Sequence, residues 1–190
     1  MSVNLVKGQK INLSKEVDGL KKVIVGLGWD AAKRGMFGMS YNIDCDASAI
    51  LLDKNDKFLD CVYYAKTSTI DSTVRHSGDN LTGDGDGDDE QIVVDLENLP
   101  ARVCKVVFVV NIYNCVSRKQ DFGMIKNAFI HLIDANTYKE ICQYSLSEKY
   151  PGKTAMIFAE VYKQNNEWQF NALGLGTTDD SISALTSRYK

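Results

Sequence analysis

Apolar and polar residues alternate along this chain in short runs with period two, and few stretches repeat at helical spacing. KKVIVGLGW (21–29), SYNIDCDASAILLD (40–53, one or two strands), FLDCVYYA (58–65) and STVRH (72–76) come first. QIVVDL (91–96), CKVVFVVNIYN (104–114), NAFIHLIDA (127–135), KEICQYSL (139–146), TAMIFAEVYKQ (154–164) and EWQFNALG (167–174) follow. Valine, isoleucine and aromatic residues at alternate positions fit a pleated, half-buried surface, so each run predicts a strand. The run 104–114 is long and β-branched, which predicts a central place. Two joins read as turns: Gln164-Asn165-Asn166, where Asn tolerates positive φ, and DANTYKE (134–140). Helix is confined to a short turn or helix in SRKQDFGMI (117–125) and another in ISALTSRY (182–189). This pattern predicts a mainly β protein, an antiparallel β-sandwich with one or two short helices.

Length and composition narrow the class. A chain of 190 residues with 44% hydrophobic content can bury one sizeable core. Only Pro100 and Pro151 interrupt it and no linker divides it, so residues 1–190 are expected to form a single domain. No apolar leader or membrane-length stretch is visible, and lysine and arginine are scattered, which argues against an integral membrane protein or a nucleic-acid binder. Cys45, Cys61, Cys104, Cys115 and Cys142 form no CxxC pair and mostly lie in apolar runs. They read as reduced, buried thiols in a cytoplasmic protein.

The charge is concentrated in one place. From Asp79 to Glu90 there are six carboxylates, three glycines and no lysine or arginine, within a chain of net charge -3. Such carboxylates repel one another unless solvated, protonated or bridged by a cation. Alternating glycines let the backbone fold back on itself. Convergent carboxylates and carbonyls make the oxygen shell of six to eight ligands that Ca²⁺ takes, whereas zinc would want His or Cys. A second contributor lies in SYNIDCDAS, where Asn42, Asp44, Asp46 and Ser48 alternate with Ile43, Cys45, Ala47 and Ala49. Asp44 and Asp46 in that apolar setting would be costly unless neutralised. The EF-hand spacing matches at Asp84, Asp86 and Asp88, then fails at Asp89, where glycine is required, and at Asp95 in the twelfth position. The flanks also read as strands, so this is not an EF-hand. Asp30 is expected to close a turn, His76 to lie at the surface, and Trp29 and Trp168 to pack in or beside the core.

GDNLTGDGDGDDEQIVVDLENLP (78–100) resembles the signature of the TerD family of tellurium-resistance and general-stress proteins. LVKGQKINL, GLGWD, NIDCDASAILLD, QDFGMIKNAFI, YSLSE and TAMIFAEVYKQNNEWQF extend the resemblance over nearly the whole chain. It implies a cytoplasmic calcium-binding β-sandwich that holds two neighbouring Ca²⁺ ions. The matching ligand positions are Asp44, Asp46, Asp79, Asn80, Asp84, Asp86, Asp88, Asp89 and Glu90, with Leu81 and Gly83 adding backbone carbonyls. Asp84 departs from the pattern, standing where Glu is common, and the tail lacks a glycine pair after the last strand. The resemblance implies a non-catalytic stress-response or tellurite-resistance role, with protein partners among other tellurium-resistance components. A calcium-dependent surface, open to acidic ligands or anionic lipid headgroups, is the expected mode of action. The alternative is a metal-dependent phosphoester hydrolase using the same acids. Against it, the acidic segment supplies no lysine, arginine or histidine to stabilise a leaving phosphate.

Overall fold

Period-two alternation resolves into two six-stranded sheets laid face to face. The structure, a computed structural model, describes residues 2–31, 43–78, 88–146 and 148–190. In chain order the elements are β1 (Val3–Leu5), β2 (Lys10–Asn12), α1 (Leu13–Glu16), β3 (Lys22–Ala31), β4 (Cys45–Leu52), β5 (Phe58–Val62), β6 (Val74–His76) and β7 (Glu90–Asp95). Then come β8 (Lys105–Ile112), α2 (Cys115–Arg118), a 3-10 turn (Phe122–Met124), β9 (Ile125–Asp134), β10 (Glu140–Ser145), β11 (Ala155–Gln164), β12 (Glu167–Thr177) and α3 (Ile182–Ser187). One sheet runs β1-β10-β9-β3-β7-β6 and the other β2-β12-β11-β8-β4-β5. Among the described residues every strand pair is antiparallel except β1 with β10.

The expected sandwich is therefore present, with differences at its margins. β1 and β2 are three residues long and were not expected, because so short a run carries no readable alternation. Three short α-helices and the 3-10 turn replace the one or two helices expected. The apolar run 58–65 stops pairing at Val62, where Tyr63 and Lys66 bond each other across a turn. The Asn165-Asn166 turn is as predicted: both have positive φ, and Gln164 faces Glu167 in register.

Inward-facing side chains of both sheets make the main core. Val23, Val25 and Leu27 of β3, Ile92 and Val94 of β7, and Ile130 and Leu132 of β9 pack against Phe108, Phe158 and Phe170 of the opposite sheet. A second cluster lies outside, on the far face of the β8-containing sheet. There Ile50, Leu52, Val107, Val109 and Ile157 are covered by Leu185 of α3. Both faces of β4 are thus buried along its whole length, which explains its near-continuous apolar run.

Candidate functional site

Two features of the fold bring the described acids, Asp44 and Asp46 from one sheet and Asp88 to Glu90 from the other, toward one end of the sandwich. β4 begins just after Asp44, and β7 begins at Glu90, the last acid of the charged segment. Glu90 is in the inward phase of β7, with Ile92 and Val94, and is 1% exposed. Its Oε2 accepts a hydrogen bond from Ala47 N–H across the sandwich at 2.7 Å. His76 Nε2 stands 3.2 Å from the same oxygen and 3.1 Å from Ala47 O. Because His76 Nδ1 accepts from Gly78 N–H at 3.0 Å, Nε2 carries the ring hydrogen and points it at these acceptors. His76 is buried, not at the surface as expected. The signal for this was present: it shares the inward phase with Val74.

The two acids before Glu90 go elsewhere. Asp89 accepts from Trp29 N–H through Oδ2 at 2.8 Å, and its own N–H donates to Leu27 O at 2.9 Å. Burial pushes the Asp89 carboxyl above its ordinary pKa; the Trp29 N–H opposes this, and the charges of Asp30, Glu90 and Asp88 add to the rise. Asp88 lies over the outer face of the β3-containing sheet. Its Oδ1 is 2.7 Å from His131 Nε2, and its Oδ2 accepts from Gln91 Nε2 at 2.9 Å. His131 Nδ1 stands 2.8 Å from Glu140 Oε2, so the imidazole bridges two carboxylates. Burial alone would lower the His131 pKa, but Asp88 and Glu140 outweigh it and hold it above the usual value. Gly26 makes this arrangement possible, since a Cβ there would meet Asp88 Oδ2 at 2.2 Å and His131 Nε2 at 2.3 Å.

On the opposite sheet, Asp44 and Asp46 are both buried. Asp44 Oδ2 is 3.6 Å from Arg118 in α2, whose guanidinium also lies over the Tyr113 ring, and Asp44 O accepts from Tyr113 N–H at 2.8 Å. Asp46 pairs directly with Asn111 of β8, whose Nδ2 approaches Asp46 Oδ2 at 3.5 Å. Between them sits Cys45, fully buried, its thiol pushed well up first by burial and then by Asp46, Asp44, Glu90 and Asp89. Four carboxylates, two at or just before the start of β4 and two at or just before the start of β7, thus act on a single thiol.

Asp79, Asn80, Leu81, Gly83, Asp84 and Asp86 lie outside the described residues. Among the described residues no group of three His, Cys, Asp or Glu side chains is arranged to hold a metal. Each of the described acids is partnered: Asp44 by Arg118, Asp46 by Asn111, Asp88 by His131 and Gln91, Asp89 by Trp29 N–H, and Glu90 by Ala47 N–H and His76. Asp30 is in β3 rather than a turn, with Asp30 Oδ2 accepting from Asn127 Nδ2 at 2.7 Å. Sequence reasoning gave no role to His131, Gly26, Asn111 or Arg118. Only His131 left a trace, as a polar residue in the outward phase of an alternating run. Trp29 and Trp168 are buried as expected, and so are Cys45, Cys61, Cys115 and Cys142, with Cys104 partly so.

The comparison with known proteins decides the family. The TerD domain model matches residues 1–189. The chain belongs to the TerD family. Stress response protein SCP2 of Bacillus subtilis (strain 168) is 48% identical over 199 residues, covering 100% of both chains. Tellurium resistance protein TerD of Serratia marcescens is 44% identical over 192 residues, covering 100% of this chain and 97% of the other. A crystal structure of a TerD homologue from Streptomyces coelicolor A3(2) superposes with a TM-score of 0.70 at 22% identity, over 90% of this chain and 99% of that one. That likeness bears on the fold alone. Among the described residues no helix is long and apolar enough to cross a membrane.

Proposed function

We propose that this TerD-family chain is a non-catalytic, calcium-binding protein of the stress-response and tellurite-resistance class. The observation that carries the reading is the 2.7 Å bond from Ala47 N–H to Glu90 Oε2, which brings the end of the acidic segment against the strand that bears Asp46 and directly follows Asp44. The donors fit the ion: carboxylates and carbonyls, with no thiolate or imidazole set to draw zinc. Asp44, Asp46 and Asp89, with Asp79, Asn80, Leu81, Gly83, Asp84 and Asp86 of the segment, would hold two Ca²⁺ ions. Glu90 and Asp88 anchor the segment's end, Glu90 inward and Asp88 over Gly26. Bound calcium would offset the mutual repulsion of these acids.

What the protein's own residues contribute is position. Burial of Asp44, Asp46 and Asp89 raises the cost of leaving them charged and unbridged, so cation binding and local folding are coupled. Ion occupancy would then present or withdraw a surface for protein partners, with anionic headgroups as a second class of target. Names such as stress response protein and tellurium resistance protein, borne by relatives that match the whole chain, support the class.

Thermal unfolding in chelator, then with calcium or magnesium added, tests the reading. Ligand at a hundredfold excess over its dissociation constant adds about 2.7 kcal/mol for one site, a Tm rise of roughly 5 to 11 °C for a domain of this size. A calcium-selective rise that Asp44→Asn and Asp89→Asn each diminish is expected. No rise would refute calcium binding, and a magnesium rise accompanied by phosphoester turnover would favour the hydrolase.

A further inference from the structure

On the outer face of the β8-containing sheet, away from the main core, a recess of about 160 Å³ opens beside α3. Its floor is the β4–β8 pair. Asp46 and Ser48 share the outward phase of β4, with Asn111 directly opposite Asp46 and Val109 opposite Ser48. Tyr63 and Tyr113 stand at its sides, and Asp180 closes it from the segment that leads into α3. Ile182, part of the apolar cluster under α3, completes the wall.

Two polar atoms in that floor have no protein partner. Ser48 is 1% exposed and Asn111 5%, yet neither Ser48 Oγ nor Asn111 Oδ1 has a hydrogen-bond partner. The Asn111 amide is oriented by its Nδ2, which faces the Asp46 carboxylate, so the carbonyl oxygen is the end left over. Leaving such atoms unsatisfied costs free energy that a ligand recovers.

We propose that this recess binds a primary ammonium group on a short alkyl stem, held by Asp46, Ser48 Oγ and Asn111 Oδ1. Among the described residues two carboxylates and no lysine, arginine or histidine line it, which favours a cation over an anion. An ammonium carries three N–H donors and no acceptor, which matches a carboxylate, a hydroxyl and an amide carbonyl. Tyr63 and the neighbouring Tyr64, whose perpendicular rings have centroids 5.5 Å apart, both line the recess and give the alkyl stem aromatic surface. The volume is close to that of a cavity known to admit a benzene-sized guest, enough for a four-carbon amine. The same group could arrive as a free amine or as a lysine side chain of a partner.

The proposal shares Asp46 with the calcium reading but does not depend on it, so the test is run in chelator. Titrate n-butylammonium, a capped Gly-Lys-Gly peptide, choline and butanol into the full chain, following amide NMR shifts and heat. Either amine should shift the Ser48 and Asn111 signals, with choline and butanol at least tenfold weaker. The tighter of the two amines identifies the source. Ser48→Ala should weaken the amine about tenfold, as expected for one hydrogen bond to a charged group, and Asp180→Asn should weaken it as well. Binding by neither amine overturns the proposal, as does choline binding equal to butylammonium or an affinity indifferent to both substitutions. Because Ser48→Ala leaves the acidic segment untouched, its calcium-dependent Tm rise separates a failure here from a failure of the calcium reading.

Discussion

Three consecutive acids, Asp88, Asp89 and Glu90, point to three different places. Strand phase sends Glu90 inward, the end of β3 captures Asp89 through Trp29 N–H, and Asp88 crosses the outer face to His131. The charge of this segment was legible in the sequence, and the sequence also pointed to the strand that its last acid, Glu90, meets at Ala47. The divergence was not, because it depends on the β3–β7 register that sets Leu27 opposite Glu90. Gly26 is the residue on which the Asp88 branch turns. Gly26→Ala would drive a methyl group into Asp88 and His131, whose side chains must then swing away. The expected cost is about 1–3 kcal/mol, typical of overpacking, or roughly 2–4 °C of Tm per kcal/mol. Calorimetry checks it, and an unchanged Tm would mean that the two side chains give way freely.

Among the elements, long alternating runs were legible and very short ones were not. β8, β11 and β12 declare themselves through eight to eleven residues of pattern, whereas β1 and β2 exist only because distant strands accept them. α3 is the instructive intermediate case. The tail has no glycine pair, yet it docks: Ser181 Oγ caps Ala184 N–H, Leu185 is buried, and Phe58 N–H donates to Tyr189 O. Arg188 Nε donates to Asp179 Oδ2 at 2.7 Å. Burial would raise the Asp179 carboxyl, but the Thr177 hydroxyl and Arg188 outweigh it and hold it below its ordinary value. A depressed folded-state pKa stabilises the protein above the unfolded carboxyl value of about 3.9 and loses that stabilisation as pH falls through the lower folded one. Asp179→Asn should therefore lower Tm at neutral pH and converge with the parent in strong acid. With Arg188 45% exposed, the difference should be under about 1 kcal/mol. A Tm series from neutral to strongly acidic pH reads the convergence directly.

At the scale of the molecule, two apolar layers share one sheet, and α3 is the lid of the outer one. Removing residues 178–190 would leave Ile50, Leu52, Val107 and Val109 facing solvent. Losing Leu185 alone is worth about 2–5 kcal/mol, so the truncated chain should melt at least about 4 °C lower. It should also self-associate, which light scattering would detect; a monomer of unchanged Tm would show that the tail covers nothing that matters. The opposite end of the chain carries a different consequence. β1 joins one sheet beside β10 and β2 joins the other beside β12, Val3 meeting Cys142 and Ile11 meeting Phe170. During synthesis these first strands leave the ribosome long before their neighbours exist, so they must wait in solution until almost the entire chain has emerged. Each then adds an edge to its sheet through contacts between distant parts of the chain, the kind of pairing that goes with slow folding.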